Sequence, residues 1–180
     1  ADAHEREKLD LVLPDEGEGP FPVVVAVHGG AWKFRFKRAD NIAGLFQAAS
    51  QGYAVASVGY RLSSHAKWPA QVNDVKAAIR YLRNHAEEYH LDPECVIVCG
   101  NSSGGHIAQA VATTNDDIDF EDCMLGDSGD SSVQGCFSMY GVSDIYVCEH
   151  QTGHRDDGDN PMSPPDQLMG FCIVAEPEER

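Results

Sequence analysis

The chain has 180 residues, 42% hydrophobic and 23% charged, enough for one domain with a sizeable core and without the compositional bias of a disordered segment. Its 13 basic side chains against 29 acidic ones give a formal charge of −16, a field that repels phosphate backbones and anionic headgroups, so no nucleic acid partner is expected. No apolar run approaches the roughly eighteen residues of a membrane-spanning helix, so no membrane span is expected.

In chain order, KLDLVLP (8–14) alternates apolar and polar residues, the pattern of a half-exposed strand, whereas PVVVAVH (22–28) is a continuous β-branched run, the pattern of a strand covered on both faces. NIAGLFQAASQ (41–51) reads as helix and YAVASVGY (53–60) as strand. In WPAQVNDVKAAIRYLRNHAEEYHL (68–91), Val72, Val75, Ile79, Leu82, Ala86 and Tyr89 fall at spacings of three and four, lining one face of a long helix with Pro69 near its first turn. CVIVCG (95–100) is again strand, GGHIAQAVATT (104–114) helix and SVQGCFSMYG (132–141) strand. After Gly141 turn residues dominate, and the tail reads as loop with a short helix at DQLMG (166–170); FCIVA (171–175) is too short to classify. Strands alternating with helices imply βαβ crossovers, hence an α/β fold whose mainly parallel sheet carries helices on both faces, in a single domain over 1–180.

Two further patterns read as structural. The acidic stretch NDDIDFED (115–122) lacks the spacing and glycine of an EF-hand loop and is expected to be solvated. Six cysteines, Cys95, Cys99, Cys123, Cys136, Cys148 and Cys172, contain no CxxC pair; free thiols buried as small hydrophobes are expected, and no metal site. These features leave the compartment open.

At the strand-to-helix junction stands Gly100-Asn101-Ser102-Ser103-Gly104, a GxSxG pattern. A serine lifted out on so sharp a turn needs small neighbours, because a Cβ there collides with the adjacent strand or helix, and the turn aims the first helical N–H groups at whatever sits beside the serine. Upstream, PVVVAV ends in His28-Gly29-Gly30. A tetrahedral acyl intermediate needs N–H donors where its oxyanion develops; the amides of Gly29, Gly30 and Ser103 are the expected donors.

These segments, LDLVLP, PFPVVVAVHGGAW, GYAVASVGYRLS, WPAQVNDVKAAIRYLRNHA, LDPECVIVCGNSSGGH and VQGCFSMYGVSDI, resemble in order and spacing an α/β-hydrolase of the carboxylesterase and lipase group that includes hormone-sensitive-lipase-like and feruloyl-esterase-like enzymes. The resemblance implies a carboxylic-ester hydrolase acting on small acyl esters without a metal or organic cofactor, with Ser102 as nucleophile and Gly29, Gly30 and Ser103 as its oxyanion hole. It also implies that Arg61 and Asp74 brace a loop against the long helix, that His106 is a helix residue rather than the base, and that Asp144 organises the loop after its strand. Trp32 and Trp68 are candidates for a pocket wall or for core packing. The chain departs from the family at Arg35 and Phe36, a bulky pair expected to reshape a pocket wall, and at Ser103, where alanine is more usual.

In this family the catalytic acid and then the histidine follow the serine on later strands. The resemblance implies that those last strands, with the catalytic Asp and His, are absent and that the chain is C-terminally truncated. His150 is the in-chain candidate for a base, with His154 and Asp156, Asp157 and Asp159 nearby. SVQGCFSMY would then form an uncovered apolar edge unless FCIVA or another chain pairs with it, and homodimers through that edge are expected. Two other functions share these motifs: a binding module without catalysis, and an amidase or peptidase.

Overall fold

The valine run at 22–28 becomes the middle of the molecule. In a computed structural model, which describes residues 4–121, 126, 128–152 and 162–173, a five-stranded sheet is built from β1 (Leu9–Val12), β2 (Phe21–Val27), β3 (Ala54–Val58), β4 (Leu91–Asn101) and β5 (Gly135–Met139). Its order is β1-β3-β2-β4-β5, with β1 antiparallel to β3 and every other pairing parallel. Alternate residues of β2 serve opposite layers. Val23, Val25 and Val27 face the larger core with Val98, Val75, Ile79 and Ile107, while Val24 and Ala26 face Ile42, Val55 and Cys99. A strand that feeds two cores has no wet face, which is why its sequence shows no alternation.

Helices α1 (Ala70–Asn84) and α3 (Ser103–Thr113) pack on the larger-core face, and a 3-10 helix, Asp40–Gln51, covers the other. That helix ends where Gly52 takes a left-handed conformation, φ 87°. The predicted long helix breaks at His85 into α1 and a single turn, α2 (Ala86–Tyr89), yet Val72, Val75, Ile79, Leu82 and Ala86 are buried as one stripe and Tyr89 packs beside them. Each such aliphatic side chain contributes roughly 1.5–3 kcal/mol by leaving water.

Three expectations need correction. Glu121, within the acidic stretch, bridges the buried cations Lys76 (3.0 Å) and Arg80 (2.5 Å) of α1, so this end of the stretch is a packed strut; Asp116, Asp117 and Asp119 are exposed. The thiols of Cys95, Cys99, Cys136, Cys148 and Cys172 are free, but only Cys99 is buried: Cys136 is exposed because its strand lies at the sheet's edge. Cys123 lies outside the described residues.

The tail holds more helix than its sequence implied. Alongside the expected short helix, now α5 (Pro164–Met169), there is α4 (Ile145–Thr152). Asp144 caps α4, its Oδ1 accepting the Val147 amide at 2.9 Å, and Ser163 caps α5, accepting the Asp166 amide at 3.1 Å. The Ser163 hydroxyl also donates to the buried Glu149 of α4 at 2.8 Å, and Leu168 enters the main core. Tertiary contacts of this kind decide α4, whose apolar residues form no clear stripe. Residues 171–173 form no strand, and among the described residues nothing pairs with the outer side of β5, where Phe137 is 58% exposed. No helix among the described residues is long and apolar enough to cross a membrane.

Candidate active site

Strand β4 runs through Gly100 and Asn101 directly into Ser102, whose backbone sits at φ 51°, ψ −125° before α3 begins at Ser103. A non-glycine residue pays steric strain there of order 1–3 kcal/mol, and such residues persist only where their surroundings over-determine them. The surroundings are visible: the Ser102 amide donates to Met139 O of β5 at 3.0 Å, and Ser102 O accepts the His106 amide at 3.0 Å. The glycines allow the close approach that this turn requires. A Cβ on Gly104 would lie 2.6 Å from His28 O, at the end of β2, and one on Gly105 would lie 2.8 Å from Gly141 Cα. Helix α3 therefore rests backbone to backbone on the strand ends.

The His28-Gly29-Gly30 turn follows β2, the strand next to β4, with Val27 in register with Gly100. Gly30 is at φ 129°, and Ala31 and Trp32 follow at φ 51° and 54°. The Gly29 amide donates to Asn101 Oδ1 at 3.0 Å. The Gly30 amide has no acceptor among the described residues, and Ser103, as the first residue of α3, has no intrahelical acceptor. The three residues predicted as oxyanion donors are thus on the two strand ends that flank Ser102.

Around this turn the titratable groups are structural. His28 is fully buried, stacked on Tyr60 with centroids 4.3 Å apart, and burial lowers its pKa to about 4 although the Gly29 carbonyl at its Nδ1 pulls the other way. His106 lies between Trp32 (5.4 Å) and Trp68 (4.7 Å), and burial lowers its pKa to about 4 as well. Both rings are neutral at pH 7. Trp32 and Trp68 therefore pack on α3 and the core. Arg61 grips Asp74 of α1 through Nη2 (2.6 Å), Nε (3.0 Å) and its own amide (2.7 Å), bracing the loop after β3. Phe36 lies under the Arg6 guanidinium at 4.8 Å, and the Arg35 carbonyl accepts from Arg6, so this pair engages the N-terminal segment.

Among the described residues no side chain is hydrogen-bonded to the Ser102 hydroxyl. His150 is exposed on α4, its ring edge-on to Tyr146 at 4.2 Å. His154, Asp156, Asp157 and Asp159 lie outside the described residues. No group of three or more His, Cys, Asp or Glu that could hold a metal occurs among the described residues. A cavity of about 650 Å³ lies between β1 and α1 and does not include Ser102.

Sequence reasoning passed over two residues at the site. Asn101 is 2% exposed and bonds to the glycine turn, and Tyr140, left-handed at φ 43°, accepts at its hydroxyl from Asn101 Nδ2 across 3.1 Å. The available signal was Asn101 itself, a polar residue ending an otherwise apolar strand.

A family model described as BD-FAE matches residues 9–179. The probable carboxylic ester hydrolase LipM of Mycobacterium tuberculosis is 32% identical over 176 residues, 98% of this chain and 37% of that protein. Among solved structures, a bifunctional GH43-CE protein of Bacteroides eggerthii is 35% identical with a TM-score of 0.84, over 97% of this chain and 26% of that one. A truncated carbohydrate esterase from gut microbiota is 32% identical with a TM-score of 0.81, over 98% of this chain and 65% of that one. The chain spans about a third of the length of the curated relatives it matches.

Proposed function

The chain belongs to the BD-FAE family, and from that premise we propose that it carries the nucleophilic half of a serine carboxylic-ester hydrolase with an α/β-hydrolase fold. Ser102 Oγ attacks the ester carbonyl, the carbonyl oxygen becomes an oxyanion met by amides of the His28-Gly29-Gly30 turn and of Ser103, and collapse expels the alcohol to leave acyl-Ser102. Water then attacks the acyl carbonyl, the acyl–Oγ bond breaks to release the carboxylic acid, and Ser102 Oγ recovers its proton. The observation that carries this reading is the strained Ser102 backbone at φ 51°, ψ −125°, between a buried strand and a helix, beside the glycine turn of the neighbouring strand. No described side chain is hydrogen-bonded to Ser102 Oγ, and His28 and His106 are packed against aromatic rings, so this reading takes its general base from a group other than these two.

A finer reading of the substrate is favoured by two solved relatives above 30% identity, the bifunctional GH43-CE protein and the carbohydrate esterase from gut microbiota. In that reading small acyl groups are removed from a carbohydrate alcohol.

The test is hydrolysis of p-nitrophenyl acetate and butyrate by the chain and its Ser102→Ala variant, with fluorophosphonate labelling read by intact mass. One label on the parent and none on the variant is the expected result. Oxyanion stabilisation and binding alone leave on the order of 10³–10⁴ over water even without the serine, so the covalent label, rather than slow turnover, identifies Ser102 as the nucleophile. Equal labelling of the variant would overturn the assignment.

A further inference from the structure

The three polar bonds of Asn101 reach three separate elements. Its Oδ1 accepts the Gly29 amide at 3.0 Å, and its Nδ2 donates to Asn41 O at 3.3 Å and to Tyr140 Oη at 3.1 Å. Gly29 belongs to the turn after β2, Asn41 to the start of the 3-10 helix, and Tyr140 to the end of β5. The side chain is 2% exposed, so these contacts are not exchanged for water. Only a carboxamide offers one acceptor and two donors in this span; a carboxylate accepts but cannot donate to Asn41 O, and an aliphatic side chain does neither.

What the amide joins is strained. Ala31 (φ 51°), Trp32 (φ 54°), Ser102 (φ 51°) and Tyr140 (φ 43°) are left-handed non-glycine residues on the ends of three adjacent strands. Tyr140 is 77% exposed yet is hydrogen-bonded at its hydroxyl. Left-handed backbones relax unless held, and Asn101 is bonded to the chain before one of them and to the side chain of another.

We infer that Asn101 is a positioning residue for the Ser102 site, and that the Gly29 amide anchors the glycine turn to it rather than facing the oxyanion, which leaves the amides of Gly30 and Ser103 as the donors. The Gly29 N–H points at an oxygen 3.0 Å away inside the protein, so it has no bond to offer a substrate unless Asn101 lets go. Holding Gly29 orients the next peptide, and with it the Gly30 N–H. This inference rests on Ser102 being the nucleophile.

Three variants of the full chain test it: Asn101→Leu, similar in size without polar atoms; Asn101→Asp, which keeps the acceptor; and Tyr140→Phe, which removes only the outer bond. Two readouts are taken, the saturation kinetics of fluorophosphonate labelling at Ser102 and hydrogen exchange of the Gly29 amide by NMR. In Asn101→Leu the maximal labelling rate falls at least tenfold at an unchanged half-saturating probe concentration, and Gly29 exchanges at least tenfold faster. In Asn101→Asp both stay within about threefold of the parent. In Tyr140→Phe labelling slows two- to fivefold while Gly29 stays protected, which keeps the inference open to refutation if the leucine variant does not fold. Parent-like labelling and exchange in Asn101→Leu would overturn it, as would equal losses in the leucine and aspartate variants. If the parent itself is not labelled at Ser102, the serine is unactivated in this chain, and Gly29 exchange alone decides whether Asn101 holds the turn.

Discussion

The centre of the sheet and its outer edge are written in similar residues and end in opposite environments. Val25 of β2 is fully buried in the larger core, whereas Phe137 of β5, also an apolar strand residue, is 58% exposed. The difference is topological: β2 has neighbours on both sides and a layer on both faces, and β5 has a neighbour on one side only. The candidate site straddles the two regimes. Ser102 leaves the central strand β4, and its amide is held by Met139 O of the edge strand. A rigid centre sets the strained turn, and the edge completes its hydrogen bonds.

The same added methyl separates the two regions most sharply. In Gly104→Ala the Cβ meets the backbone carbonyl of His28 at 2.6 Å, at the end of a strand that cannot shift, and overpacking of this kind costs on the order of 3 kcal/mol. The expected result is a Tm lower by roughly 6–12 °C in thermal denaturation. In Gly135→Ala the nearest atom is Ile97 Cγ1 at an ordinary 3.7 Å, and the change stays within about 0.5 kcal/mol. Equal effects would erase the distinction between centre and edge.

Acid should act on the centre with a smaller effect. His28 and His106 titrate at about 4 when folded, below the roughly 6.5 of an unfolded histidine, so the unfolded chain binds more protons between those values. The stability they confer is fully present above pH 6.5 and is lost as pH falls from 6.5 towards 4. Urea midpoints measured across this range should decline, and His106→Phe should decline less steeply. A slope unchanged in that variant would mean that His106 is not held neutral.

The smallest expected effect on stability is at the edge. Phe137→Lys should alter the folding free energy by no more than about 0.5 kcal/mol. It should nevertheless lower self-association in sedimentation velocity, because an apolar edge strand is a template for pairing with a second copy and lysine blunts it. An unchanged dimer fraction would show that β5 is not the contact.

Much of the fold was readable residue by residue. The unalternating run at 22–28 marked a strand with two dry faces, the spacing from Val72 to Ala86 marked the buried stripe shared by α1 and α2, and the glycines around Ser102 marked the turn now seen at φ 51°. The tail was not readable. Helix α4 follows from an Asp144 cap and from Glu149 reaching Ser163, contacts that no local period encodes. The strut from Glu121 to Lys76 and Arg80 was hidden in the same way, because an acidic run looks solvated until a cation more than forty residues away is placed beside it.

What the sequence by itself determined is the order of the elements, the two-faced burial of β2 and the small-residue frame around Ser102, since backbone sterics and apolar period are local properties. Tertiary structure alone decided that Asn101 binds Gly29, Asn41 and Tyr140, that His28 and His106 are neutral, and that β5 is an edge. Those facts depend on which strand ends meet, and only the packed sheet brings residues 29, 101 and 140 within a hydrogen bond's reach.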